Sequence, residues 1–136
     1  MTFGRNKAGI IRRVYVLGRV DGRRLTLHGF ILGERNSLDI DHRNGSGLDN
    51  RRSNLRLATR TQNCGNAQPK GGVSRFKGVT FRKKKGTWIA RVQFKKSRIY
   101  LGDFEKEEDA ARAYDKAAIQ LFGEFARLNF PDCPAQ

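Results

Sequence analysis

The sequence predicts an α+β protein in two domains, and three observations carry that prediction. Charge texture changes near residue 70: residues 1–70 hold 14 Lys and Arg against 5 acids, whereas residues 71–102 hold ten Lys and Arg and no acid. Apolar residues recur with period two between Val79 and Leu101, the spacing of strands with one buried face. From Glu105 the spacing lengthens to three and four residues, as in an amphipathic helix. The stretch from Cys64 to Arg75 is rich in Gly and contains Pro69, a linker signature. The expected domains are therefore 1–68 and 75–136, joined by a linker at 69–74.

Each element has its own warrant. Ile10-Ile11, Val14 to Leu17 and Leu25 to Leu27 suggest two strands joined at Val20-Asp21-Gly22, a hairpin signal. Leu38 and Ile40 alternate with Asp39 and Asp41, so a short strand ends at Asp41-His42. Asn44 to Gly47 is a turn cluster. Asn54-Leu55-Arg56-Leu57 then returns, and Thr59 caps a helix carrying Asn63. This layout brings Asp41, His42, Asn54 and Asn63 together.

In the second half, Val79 and Phe81, then Trp88 to Phe94, then Ile99 and Leu101 mark three antiparallel strands. Acids crowd the start of the helix that follows, where they complement its dipole. Ala110, Tyr114, Ala117, Ala118 and Leu121 form its apolar stripe and Gly123 ends it. That helix covers the apolar side of the sheet. The opposite side is left exposed, with Arg82, Lys84, Arg91, Gln93, Arg98 and Tyr100 upon it.

Composition narrows the function. The 136 residues carry 28 Lys and Arg, 13 acids and a net charge of +15, which calls for a polyanionic partner. No run approaches the roughly 20 apolar residues of a membrane span, and Met1 to Arg13 has no secretory signal core. Cys64 and Cys133 are too few for a disulfide scaffold or a four-thiolate zinc site. An intracellular protein with duplex DNA as partner and no membrane is the expectation. A small β-ribbon fits the major groove, where Arg bonds guanine edges.

Five motifs in order sharpen this. Phe76-Lys-Gly-Val-Thr, Gly86-Thr-Trp-Ile-Ala, Tyr100-Leu-Gly-Asp-Phe, Ala110-Ala-Arg-Ala-Tyr-Asp-Lys-Ala-Ala and Leu128-Asn-Phe-Pro resemble the plant Apetala/ethylene-response-factor DNA-binding domain over residues 75–131. The resemblance implies a three-stranded antiparallel sheet in the major groove, backed by one helix. Thr80, Gln93 and Tyr100 stand where that family usually has Arg or Trp, so its target sequence is not carried over.

The first half holds residue types suited to phosphodiester hydrolysis. His42 could accept a proton from water, while Asp41 and Asn63 could offer oxygens to a Mg2+-like ion. Asn54 could hold the imidazole or its loop. The spacing adds more: Asp-His, an Asn 12 residues after the His and another nine further on, with Gly47-Leu-Asp-Asn-Arg-Arg-Ser-Asn-Leu-Arg56 between, resembles the HNH homing endonucleases over residues 25–66. That resemblance implies a ββα-metal nuclease domain with Asp41 and Asn63 as metal ligands, His42 as general base and Asn54 as the orienting residue. It further implies one divalent ion, Mg2+ with Mn2+ as the alternative. Arg51 and Arg52 would contact DNA. Gly29 replaces an arginine that the family usually places after the position of His28.

Together the two resemblances imply a phage- or mobile-element-borne HNH endonuclease in the cytoplasm of a bacterial or phage-infected host. It would nick duplex DNA once per active site, as a monomer or homodimer. The alternative is a non-catalytic DNA-binding regulator whose nuclease half has decayed.

Overall fold

The computed structural model describes residues 2–5, 11–33, 37–69 and 71–131, with backbone alone for 2–5 and 11–14. The chain separates into two compact units, Met1–Asn63 and Cys64–Gln136. No helix among the described residues is long and apolar enough to cross a membrane.

The first unit is built from two-stranded pieces. Strand β1 (Thr2–Arg5) pairs antiparallel with β2 (Ile11–Tyr15), and β3 (Leu17–Val20) with β4 (Arg23–Thr26). Asp21 and Gly22 turn the second hairpin with φ of 48° and 74°, the doubly positive geometry that suits the twist of the flanking strands. The two strands expected over residues 10–27 are thus three, because β2 pairs with β1 and the chain breaks pairing between Tyr15 and Leu17. Helix α1 (Leu27–Leu32) starts where Gly29 N donates to Thr26 Oγ1 at 3.3 Å. Strand β5 (Asp39–His42) then pairs antiparallel with β6 (Leu55–Ala58).

Helix α2 (Arg60–Gly65) follows β6. At its start Gln62 N donates to Thr59 Oγ1 at 3.3 Å, and Thr59 N donates to Gln62 Oε1 at 2.8 Å, a reciprocal cap. Its last turn lies in the second unit, where the carbonyl of Gly65 accepts from Lys77 Nζ and from Arg127 N. Ser74 is buried, donates to Glu107 at 2.6 Å and accepts from Phe76 N. Those bonds explain why the division falls at residue 64, ahead of the linker expected at 69–74.

The second unit contains a three-stranded antiparallel sheet in the order β7 (Val79–Arg82), β8 (Thr87–Phe94), β9 (Ser97–Phe104). Helix α3 (Glu107–Phe122) packs across one face. Val79, Ala90, Ala110 and Ala111 make the centre of the core, with Phe76, Trp88, Leu101, Phe104 and Phe130 around it. Small alanines let helix and sheet approach closely. The buried stripe of α3 runs through Ala110, Ala111, Tyr114, Asp115, Ala118 and Phe122; it includes Ala110, Tyr114 and Ala118 of the expected stripe, whereas Ala117 and Leu121 are only half-buried. Gly78 lies directly against this stripe. With φ at +77°, it faces Tyr114 so closely that a Cβ would lie 2.1 Å from the ring.

Asp115 explains a charge on the buried side of a helix. Its carboxylate accepts from Asn129 N at 2.8 Å, Phe130 N at 2.9 Å and Asn129 Nδ2 at 3.1 Å. Asn129 in turn accepts from Lys77 N at 2.7 Å and donates to Lys77 O at 3.1 Å. The Leu128-Asn-Phe-Pro motif is thereby tied to both α3 and the segment entering β7.

One irregularity shapes the outer face of the sheet. Ala90 pairs with Gly102 and Arg91 with Tyr100, so Leu101 is an extra residue in β9. A bulge of this kind shifts the alternation of faces. Tyr100 and Asp103, three residues apart, consequently share the face turned away from α3.

Candidate nucleic-acid interface

The face of the sheet opposite α3 is assembled by register. Cross-strand partners share a face, so the pairs Arg91–Tyr100 and Gln93–Arg98 lie side by side, and Thr80–Ile89–Asp103 forms the next row. Arg82 pairs with Thr87 at the end of the face. Gln93, Arg98 and Tyr100 are exposed, while Arg82 and Arg91 are half-buried. Lys84 lies elsewhere. It occupies the turn between β7 and β8, which closes through Gly86 N donating to Arg82 O at 2.9 Å.

Asp103 changes the electrostatics of that face. Its Oδ2 accepts from Tyr100 OH at 2.8 Å and from Arg82 NH1 at 3.2 Å, and its Oδ1 accepts from Thr87 Oγ1 at 3.4 Å. The Tyr100 hydroxyl and the nearby guanidinium of Arg82 hold the Asp103 carboxyl below its ordinary range, and the same bond pushes the Tyr100 phenol up. The expectation of a face without acids is corrected accordingly. Strict period-two counting puts Asp103 on the helix side with Leu101, and Gly102 was the one sequence signal of a bulge.

In the first unit, Asp41 and His42 are buried on β5. Successive strand residues point to opposite faces. The Asp41 carboxylate meets its cross-strand partner Arg56, accepting from Nε at 2.8 Å within a buried ion pair. The His42 ring packs against His28 and Tyr15, with centroids 5.1 and 6.0 Å away, and its Nε2 lies 3.4 Å from Asn50 Oδ1. His28 itself sits buried in α1.

Asn54 organises the loop after β5. It accepts from Asn44 N at 3.0 Å, and its amide donates to Asn44 Oδ1 at 3.0 Å and Asp49 O at 2.8 Å. Asn63 donates to Asp39 Oδ2 at 3.3 Å. Arg51 grips Asp49 with two bonds of 2.8 and 2.7 Å, and the Arg51 bond brings the Asp49 carboxyl down to about 2. Arg52 donates to Ile31 O at 3.2 Å.

A divalent ion shared by Asp41 and Asn63 does not fit this arrangement. Such an ion needs oxygen ligands turned toward one point. Here a guanidinium occupies the Asp41 carboxylate, and the Asn63 side chain turns its NH2 toward a different carboxylate, Asp39.

Comparison with known proteins separates the two halves further. Residues 74–124 match the AP2 domain, and residues 32–64 match an HNH endonuclease family. The chain is 48% identical over 59 residues to ethylene-responsive transcription factor ERF010 of Arabidopsis thaliana, covering 42% of this chain and 32% of that protein. It is 51% identical over 61 residues to dehydration-responsive element-binding protein 1G of Oryza sativa subsp. indica, covering 43% and 27%. Against APETALA2-like protein 2 of the same rice it is 40% identical over 62 residues, covering 46% and 14%. The chain spans a third or less of the length of these curated relatives. An AP2 domain is thus supported in the second half. The expectation of an enzyme, an HNH phosphodiester hydrolase, is overturned: the relatives the chain matches include an ethylene-responsive transcription factor and a dehydration-responsive element-binding protein, and the HNH match is confined to residues 32–64.

Proposed function

We propose that this protein is a non-catalytic, sequence-reading binder of duplex DNA that docks the outer face of β7–β9 in the major groove. The observation that carries this reading is the adjacent pairing of Arg91 with Tyr100 and of Gln93 with Arg98 on the face that α3 leaves uncovered. Two guanidinium groups and a carboxamide in fixed register suit the donor and acceptor pattern of base edges: Arg bonds guanine O6 and N7, and Gln bonds adenine N6 and N7. The strand pleat holds these groups on a rigid ladder rather than a loop. The net charge of +15 supplies long-range attraction to phosphate. The first unit, in which the Asp41 and His42 pair is built into the packing, adds basic surface and no chemistry in this reading.

The test is enrichment of the full chain on a pool of randomised duplexes, followed by binding of the enriched sequence. A preferred duplex emerges, RNA of the same sequence competes poorly, and affinity falls steeply with salt as counterions are released. Arg91→Ala and Arg98→Ala each weaken binding to the preferred duplex by about 1–3 kcal/mol. Equal affinity for every duplex, or unchanged affinity and salt slope in both variants, contradicts the reading.

A further inference from the structure

We propose that Asp103 is a positioning residue that determines specificity by locking Arg82 and Tyr100 into one preset reading unit on the outer face of the sheet. The inference rests on the DNA-binding reading above and deepens it. A surface meant only to attract phosphate gains nothing from a carboxylate among its cations, since an acid repels the phosphate backbone. Asp103 is nonetheless brought to that face by the bulge at Leu101, and it accepts three bonds from three side chains that lie there, Tyr100, Arg82 and Thr87.

The geometry gives the carboxylate two tasks. One oxygen, Oδ2, takes both Tyr100 OH and Arg82 NH1, at 2.8 and 3.2 Å. Arg82 is a long side chain with much rotamer freedom, and ordering it before DNA arrives lowers the entropy lost on binding. A guanidinium held at one edge still presents its remaining N–H groups, so the pair can meet a base while staying intact. The second task is discrimination. A carboxylate fixed among these groups accepts from cytosine N4 and disfavours bases that present only acceptors. The bulge is therefore what turns a uniformly basic sheet into one with an internal acceptor.

The affinities of the full chain for its enriched duplex and for an unrelated duplex, measured at two salt concentrations, test this. The parent is compared with Asp103→Ala, Asp103→Asn and Arg82→Ala, and with the Asp103→Ala/Arg82→Ala double variant. Thermal unfolding verifies that each variant folds, and Asp103→Asn preserves the size of the side chain if Asp103→Ala does not. The expected result is a fall of about tenfold in the ratio of preferred to unrelated affinity for Asp103→Ala. Binding to the unrelated duplex becomes tighter as the acid is lost, and Arg82→Ala costs less in the Asp103→Ala background than in the parent. If both duplexes gain affinity equally and the two substitutions are additive, Asp103 contributes charge alone and the inference is overturned. A parent that shows no preference between duplexes sinks the DNA-reading proposal itself, which keeps the two failures apart.

Discussion

Two carboxylate–arginine pairs, one in each unit, have similar chemistry and opposite surroundings. Asp41 and Arg56 face each other across the β5–β6 hairpin, with side chains 5% and 10% exposed. Asp103 and Arg82 sit on the outer face of the sheet, 27% and 31% exposed. Burial makes the first pair a fixture: separating it strands a charge away from water. Exposure leaves the second pair within reach of a ligand, and its loss costs the fold little. A functional-looking acid in the first unit is thus committed to the fold, while an acid in the second unit that was not among the expected site residues remains available to a partner.

The comparison is broken or sharpened by substitution. Arg56→Leu has the largest expected effect, about 3–5 kcal/mol lost in urea unfolding, because the buried Asp41 carboxylate loses its guanidinium. Restoring much of that stability in the double variant Asp41→Leu/Arg56→Leu shows that the unbalanced charge, rather than lost volume, carries the cost. Asp115→Ala comes next. It removes the acceptor of three N–H bonds, and about 2–4 kcal/mol is expected to go from the second unit. By contrast Arg82→Leu lowers stability by about 1 kcal/mol or less. A loss as large as that for Arg56→Leu would erase the distinction between the two pairs.

The last expected effect is a pH dependence. Burial, and then the charge of Arg127, hold the Lys77 ammonium down to about 8 from an ordinary 10.5. Between those values the unfolded chain binds more protons than the folded one, so stability rises with pH. Tyr114 opposes this at the upper end, because burial and Asp115 push its phenol up from 10.0. Above that value the unfolded tyrosine ionises first and stability falls. The melting temperature of the second unit is therefore expected to climb between about pH 8 and pH 10 and then drop, and Lys77→Met flattens the climb. A parent curve that declines steadily from pH 8 refutes the assignment.

The second half was the more legible in sequence, for a physical reason. Period-two runs and a long alanine-rich helix are local patterns, and β7, β8, β9 and α3 follow them closely. What local patterns missed depends on one inserted residue and one buried acid. Leu101 shifts the faces of β9 and delivers Asp103 to the outer side. Asp115, whose carboxylate takes up the Asn129 and Phe130 amides, joins the buried stripe of α3. In the first half, the hairpin turn at Asp21-Gly22 and the β5–β6 pairing were readable. Side-chain partnership was not. Proximity in sequence placed Asp41 beside His42, but strand geometry sends them to opposite faces, and Arg56 arrives from 15 residues away. The Asn63 amide is directed at Asp39, two residues before Asp41 on the same face of β5.

Backbone amide chemical shifts of the full chain, recorded while the enriched duplex is added, test the DNA-reading face most directly. The amides of Arg91, Gln93, Arg98, Tyr100 and Asp103 are expected to move together, with those of the buried stripe of α3 nearly still. Shifts concentrated on the exposed side of α3 with the β8–β9 amides unchanged would contradict the account.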